Sequence, residues 1–173
     1  LFLMAGSVMH ALHGELNIFK MDRLAGDMPF TLAMAVVGGL GLSGFPYVAG
    51  GFYSKDEILL ATLNQTGPVN WILFGALSLG ALFTAFYTFR MIVVAFFTPS
   101  SDRESVPDSV NECGWVMGLP MAILAVGTLA GGWFWDWITE FGHHGAHHAP
   151  HTLVVGVSIA ASLLGIGAAV LIY

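Results

Sequence analysis

The sequence has 173 residues, of which 56% are hydrophobic and 9% charged, and its formal net charge is −6 at pH 7. A soluble domain usually carries about 25% charged residues, so this composition excludes a chain that faces water on all sides. The mean hydropathy of +0.77 and the 13 Phe and 22 Gly residues are typical of helices that pack closely in a lipid bilayer. We therefore predict an all-α, polytopic transmembrane helix bundle.

Several classes of function are excluded by residue type. The five Lys and Arg residues are scattered, so the chain offers no basic face for nucleic acid. Cys113 is the single cysteine, which rules out an internal disulfide and a cysteine metal site. The sequence contains no phosphate loop, nucleophile triad or dinucleotide fingerprint, and we expect no cofactor and no metal in this chain.

Apolar runs separated by short polar breaks predict a single transmembrane region that covers residues 1–173. Both ends lie within apolar runs, which predicts a fragment of a longer protein. In chain order the predicted spans are 1–13 (partial), 29–64 (broken), 71–97, 115–138 and 152–173 (partial).

The connections between the spans predict an orientation. Residues 14–28 and 98–114 fall on one side and contain Lys20, Arg23 and Arg103, whereas the connections on the other side contain no Lys or Arg. By the positive-inside rule the first pair of connections faces the cytoplasm.

Residues 29–64 do not fit a simple span. A continuous helix over this range would be about 54 Å long, against a hydrocarbon core of about 30 Å. Pro46 removes a helical hydrogen bond and disfavours helix at the residue before it, and glycines flank it at 44, 50 and 51. We predict one discontinuous span, made of two half-helices and an unwound stretch. Such breaks at membrane depth line cavities and mark ion sites in transporters.

Lys55 follows this break, and Asp56 and Glu57 come directly after it. An ionisable residue in an apolar span is costly and indicates function. We expect Lys55 to exchange a proton, with Asp56 or Glu57 controlling its affinity. In a second interpretation, Ser54 is the N-cap of a helix, the two acids stabilise its first turn, and Lys55 extends to the interface. Both interpretations can hold together.

Three motifs resemble one family. The stretch GGFYSKDEIL at 50–59 resembles the GF(F/Y)SKDEIL signature of the antiporter-like subunits of NADH:quinone oxidoreductase (respiratory complex I), called L in bacteria and 5 in mitochondria. HALHGELNIFKM at 10–21 resembles their HALHGEQDIRKMGGL segment, and YTFRM at 87–91 matches as well. The similar zone covers about residues 1–97. Asp22 and the Leu24-Ala25 pair depart from the family pattern, which affects the loop more than the function.

The resemblance implies a bundle of about sixteen spans with a row of protonatable residues at mid-membrane, in which Lys55 belongs to the half-channel nearer the periplasm. It implies proton translocation coupled to NADH oxidation and quinone reduction, so the enzyme would be a translocase. NADH, FMN, iron–sulfur clusters and quinone would belong to partner subunits of the membrane-bound complex. The expected partners are the other membrane-arm subunits and lipid, and the expected location is a bacterial inner (cytoplasmic) membrane.

Three alternatives remain open from sequence. The chain would also suit a multi-subunit cation/proton antiporter, a membrane subunit of an energy-converting hydrogenase, or a structural membrane scaffold. In the last case Lys55 would have no part in turnover.

Other polar residues outside the lysine motif have candidate roles as well. His10 and His13 are three residues apart near the end of the first span; His10 is a candidate proton relay, and the pair could instead order the loop that follows. Glu15 and Lys20 are expected to order that loop. We expect Arg90 to extend towards the cytoplasmic surface. The five histidines between 143 and 151 have metal-like spacing, but we interpret them as a solvated loop.

Overall fold

The computed structural model describes residues 1–64, 67, 69–99, 110–134 and 152–173. These residues form α-helices and one short 3₁₀ helix at Ile18–Lys20, with no strand in the described part of the chain, which confirms the predicted all-α class. The helices are α1 (Phe2–Ala11), α2 (Pro29–Ser43), α3 (Gly50–Leu63), α4 (Val69–Phe96), α5 (Trp115–Trp133) and α6 (Thr152–Ile172).

Helices α4, α5 and α6 are each long and apolar enough to cross a membrane, and α1 and α2 are shorter apolar helices. The chain is therefore a multi-pass membrane protein. Residues 135–138 of the predicted fourth span and the five-histidine loop lie outside the described residues.

The predicted break is present between Ser43 and Gly50. Gly44 ends α2 in the left-handed conformation, with φ 71° and ψ 49°, which glycine adopts without a steric penalty. The Phe45 amide donates to the Leu40 carbonyl at 2.9 Å, and the Gly44 amide donates to the Gly41 carbonyl at 3.3 Å. This pair of bonds is the Schellman arrangement that commonly ends a helix. The prediction of a discontinuous span is confirmed.

The two half-helices pack along one longer helix. The 28 residues of α4 extend about 42 Å, while α2 and α3 extend about 22 and 21 Å. Gly39 of α2 faces Thr88 and Ile92 in the second half of α4, and Leu59 of α3 packs with Phe74 in the first half. Consequently α2 and α3 together form one interrupted span, antiparallel to α4.

Helix α6 runs parallel to α4 through a face of small residues. Ala161, Gly165 and Ala169 are spaced four residues apart, and both alanines are buried. A Cβ at Gly165 would lie 2.6 Å from the Leu82 carbonyl oxygen and 2.7 Å from the Ala85 Cβ. Small residues at this spacing let two membrane helices approach closely, and this approach brings the polar residues of α6 to the break.

Residues 23–25 of the first connection meet residues 96–98 at the end of α4. The Arg23 amide donates to the Thr98 carbonyl at 3.4 Å, and the Ala25 amide donates to the Phe96 carbonyl at 3.1 Å. Leu24 and Phe96 are fully buried there. The loop and the end of α4 are therefore joined by backbone hydrogen bonds over a common core.

Glu15 orders the first connection. Its carboxylate accepts hydrogen bonds from the amides of Leu16 at 3.0 Å and Asn17 at 2.8 Å, and it lies 3.6 Å from the Lys20 ammonium. The hydrogen bond from Asn17, aided by the nearby Lys20 charge, lowers the pKa of this carboxyl group. The expected loop-ordering role of Glu15 and Lys20 is confirmed.

In the described part of the second connection, Glu112 caps α2. Its carboxylate accepts from the Phe30 amide at 2.8 Å and from the Thr31 amide at 3.3 Å, and it also accepts from the Thr31 hydroxyl. A carboxylate at a helix N-terminus satisfies free amides and complements the helix dipole. Sequence analysis missed this cap because the two partners lie some eighty positions apart.

We expect Glu112→Ala to lower the free energy of unfolding by about 1 kcal/mol, the usual cost of losing a helix N-cap. Glu112→Gln keeps an oxygen acceptor and should cost less than the alanine variant. The measurement is thermal unfolding of the full-length protein in detergent. Equal midpoints for wild type and Glu112→Ala would contradict the capping role.

We expect Gly165→Ala to push α6 away from α4 and to cost about 1–3 kcal/mol, as overpacking does. Gly167→Ala is the matched control, because it lies on the same helix and a Cβ there meets nothing within 4 Å. That variant should be neutral or slightly stabilising, since alanine favours helix over glycine. Thermal unfolding of both variants measures the difference, and equal stability would show that the helices do not require this close approach.

Candidate functional site

The C-terminal end of α2 is the centre of the candidate site. The last four carbonyls of an α-helix have no partner within it, and here they lie inside an apolar bundle. The Leu40 carbonyl accepts from the Phe45 amide and, at 3.1 Å, from the Ser43 hydroxyl. The Gly41 carbonyl accepts from the Gly44 amide. The carbonyls of Leu42 and Ser43 need partners from other helices.

Lys55 supplies the first of these partners. Its Nζ atom donates to the Leu42 carbonyl oxygen at 2.7 Å, reaching from the second turn of α3 across the break. The lysine side chain passes over Gly44, where a Cβ would lie 3.0 Å from its Cδ atom. Gly44 is thus required both for its left-handed backbone and for this passage. A cation at a helix C-terminus interacts favourably with the negative end of the helix dipole.

Ser162 of α6 supplies the second. Its hydroxyl lies 3.1 Å from the Ser43 carbonyl oxygen and 3.0 Å from that of Gly44, and the residue is 2% exposed. Every carbonyl from Leu40 to Gly44 therefore has a hydrogen-bond donor within reach.

Helix α5 also reaches the break. A Cβ at Gly132 would lie 3.4 Å from the Ala49 carbonyl carbon, and one at Gly50 would lie 3.2 Å from the Gly131 carbonyl carbon. The last turn of α5 thus packs directly on the start of α3, and the break is enclosed by protein on this side as well.

The break lies at the mid-depth of the bundle. Ser162 is near the centre of α6, and Gly165, one turn further on, contacts residues 82 and 85 near the centre of α4. Lys55 binds the carbonyl beside these groups. Its ammonium group therefore lies at the mid-depth of the bundle, away from the ends of α4 and α6.

The interpretation of Ser54 as an N-cap is wrong. Helix α3 begins at Gly50, its N-cap position is Ala49 without a side-chain cap, and its first turn contains no acid. Ser54 lies inside the helix and donates to the Gly51 carbonyl at 3.3 Å. The sequence misplaced the start because two glycines, which favour turns, here occupy the first helical positions. Gly51 is needed there because a Cβ would collide with the Gly41 carbonyl oxygen.

The two acids after Lys55 face different directions. Successive residues of an α-helix are about 100° apart around its axis. The Asp56 carboxylate is hydrogen-bonded to Ser158 of α6, and its Oδ1 atom is buried with no partner among the described residues. Glu57 is exposed on the surface of this chain. Lys55 therefore binds a carbonyl group, and Asp56 binds a hydroxyl group, although the two residues are adjacent.

His10 is not brought to this site. Leu1, at the N-terminal end of α1, lies beside Gly38 of α2, and Leu12 is buried in the same cluster as Met28, just before α2 begins, so α1 is antiparallel to α2. His10 is exposed at the end of α1, level with the start of α2. Along α2 this start is about 20 Å from the Leu42 carbonyl. A relay role for His10 stays a prediction and requires further groups between the two positions.

Arg90 lies over the ring of Tyr173, with 4.9 Å between the guanidinium carbon and the ring centroid. This cation–π contact joins α4 to the C-terminal residue of the described chain. The sequence-based expectation for Arg90 was extension towards the cytoplasmic surface. Within the described residues, no group of three or more His, Cys, Asp or Glu side chains could hold a metal ion.

Sequence analysis missed Ser158 and Ser162. Both are buried, at 3% and 2% exposure. Their spacing of four residues in an otherwise apolar span puts both on one helix face, and this was the available signal. Without the tertiary structure, however, the face could not be assigned to the break.

Comparison with known proteins agrees with this architecture. Residues 1–84 match the family described as NADH:quinone oxidoreductase/Mrp antiporter, transmembrane. NADH-ubiquinone oxidoreductase chain 5 of Metridium senile is 37% identical over 175 residues, an alignment that covers 100% of this chain and 28% of the relative. Chain 5 of Arabidopsis thaliana is 40% identical over 75% of this chain and 19% of its own length.

A bacterial protein is similar as well. NADH-quinone oxidoreductase subunit L of Escherichia coli (strain K12) is 46% identical over 96 residues, which is 56% of this chain and 15% of the relative. The chain thus spans under a third of the length of the relatives that it matches. Together these similarities identify the chain as similar to chain 5 and subunit L, the antiporter-like membrane subunits of NADH:quinone oxidoreductase.

Proposed function

We propose that the protein translocates protons across a membrane as an antiporter-like subunit of NADH:quinone oxidoreductase, and that Lys55 carries the proton. The observation that carries this proposal is the bond from Lys55 to the Leu42 carbonyl, at the end of a half-helix at mid-depth. An ammonium group in that position can be held by the helix dipole when no carboxylate is bound to it.

In this proposal Lys55 alternates between its charged and neutral forms as a proton passes. A charged side chain at the centre of a bilayer costs at least about 2.5–3.5 kcal/mol, which favours release of the proton once a stabilising partner moves away. The Leu42 carbonyl is one such partner. Asp56, on the next position of α3, is a group that could become another by turning towards the lysine.

The rest of the complex is part of the same proposal. NADH oxidation and quinone reduction, with FMN and the iron–sulfur clusters, would take place in other subunits. A conformational change in the complex would drive the change of Lys55 between its charged and neutral forms. The partners would be the other membrane-arm subunits and the surrounding lipid. The proposed location is a bacterial inner membrane, and the relatives come from Escherichia coli as well as from eukaryotes.

We expect Lys55→Ala in the full-length subunit to cut proton pumping by about tenfold or more, since positioned proton-transfer groups contribute about 10²–10⁴-fold to a rate. Lys55→Arg should give at most partial activity, because guanidinium stays protonated. The assay measures NADH-driven acidification of inverted membrane vesicles, the quinone reductase rate, and assembly of the complex on native gels.

Lys20→Ala is the matched control, because it removes a lysine of the loop that pairs with Glu15. It should pump at the wild-type ratio of protons to electrons. If Lys55→Ala and Lys55→Arg also assembled and pumped at that ratio, Lys55 would be a structural cap of α2 only, and the proposal would be wrong.

A multi-subunit cation/proton antiporter is the second candidate, favoured by the family description that includes Mrp antiporters. Such a protein would exchange Na⁺ or K⁺ for protons in vesicles without NADH. The proposed subunit would acidify vesicles only when NADH is oxidised. A membrane subunit of an energy-converting hydrogenase would instead require hydrogen metabolism, which an NADH-driven assay separates from both.

A further inference from the structure

Two serines of α6 contact the two sides of the helix break. Ser158 and Ser162 are one helical turn apart, and both are almost fully buried. A buried hydroxyl group is costly unless it is hydrogen-bonded. Ser158 satisfies this requirement through Asp56 on α3. Ser162 satisfies it through backbone carbonyls at the end of α2.

Ser158 is hydrogen-bonded to the Asp56 carboxylate, which directs that acid towards α6. Ser162 lies within 3.1 Å of the Ser43 and Gly44 carbonyl oxygens, next to the Leu42 carbonyl that binds the lysine. Its hydroxyl also lies 3.0 Å from the Ser158 carbonyl oxygen. Because a hydroxyl has one proton, Ser162 donates to one of these three oxygens at a time.

We propose that Ser158 and Ser162 are positioning residues that keep Lys55 and Asp56 on separate partners. Ser158 holds the carboxylate on α6, and Ser162 occupies the carbonyls beside Leu42, so the ammonium group has one carbonyl to bind. This inference rests on the proposed function of Lys55, and it adds that α6 controls when the lysine and the aspartate can meet.

The physical reason is the low dielectric of the site. Lys55 and Asp56 are consecutive on α3, and a freed carboxylate can turn towards the long lysine side chain. In a membrane interior an ion pair at contact distance is far stronger than in water. Such a pair would keep the proton on Lys55 and prevent its release. The Ser158 hydroxyl competes with the lysine for the carboxylate, and this competition keeps the proton exchangeable.

Threonine and valine have nearly the same shape and differ in the hydroxyl group, so they isolate its role. In the full-length subunit we expect Ser158→Val to lower the number of protons pumped per electron by about threefold or more, because loss of a hydrogen bond shifts an equilibrium by about that factor. Ser158→Thr should retain most of the coupling. Ser162→Val should likewise pump fewer protons per electron than Ser162→Thr. The complex should assemble in all four variants.

Ser78 provides the matched control pair. It lies on α4, and its hydroxyl donates to the Phe74 carbonyl of its own helix at 2.7 Å. Ser78→Val and Ser78→Thr should pump equally. The positioning role would be refuted if Ser158→Val matched Ser158→Thr and Ser162→Val matched Ser162→Thr, all at the wild-type ratio of protons to electrons.

Should the added methyl group of both variants impair assembly or coupling, Ser158→Ala and Ser162→Ala remove the hydroxyl without added bulk. Reduced coupling in these alanine variants supports the proposal, and wild-type coupling overturns it. Failure here can be distinguished from failure of the proposed function. Normal pumping by Lys55→Ala refutes the function itself, whereas loss of pumping in Lys55→Ala with normal serine variants refutes the positioning role alone.

Discussion

A helix that ends in the middle of an apolar bundle leaves carbonyl groups without partners of their own helix, and these need donors from elsewhere. Here the C-terminal end of α2 has this problem, and the surrounding structure meets it. The backbone turn at Gly44 satisfies two carbonyls, Lys55 satisfies a third and Ser162 a fourth. The close packing of α6 on α4 at Gly165 brings Ser162 to the break.

One side chain thereby serves structure and proposed chemistry together. The ammonium group of Lys55 completes the hydrogen bonding of α2 and stands at the negative end of its dipole, where a cation is stabilised. The adjacent acid, Asp56, is held by another helix, so in the proposed mechanism the charge of the lysine would depend on the geometry of the break. In this arrangement a small movement of α6 or α3 changes the partners of both residues, which is how a conformational signal would reach the proton.

Several sequence-based interpretations agree with the structure because they depend on local chemistry. Pro46 lacks an amide donor and Gly44 adopts the left-handed conformation that ends a helix, and the break lies at these residues. The helical class follows from composition. The N-cap role of Ser54 was wrong because the two glycines before it are held in a helix by packing against α2 and α5, a tertiary effect that outweighs their low helix propensity. The Glu112 cap was invisible because it joins residues far apart in sequence.

The sequence by itself determined the membrane class, the interruption of the second span, and the presence of an isolated lysine followed by two acids, because hydropathy, proline and glycine act over a few residues. It also carried the motifs of the family. Only the tertiary structure decided what each charged group binds: that Lys55 bonds a carbonyl, that Asp56 bonds Ser158, and that His10 lies about 20 Å away along α2. The physical reason is that these partners come from separate helices, and their meeting depends on how α2, α3 and α6 pack together.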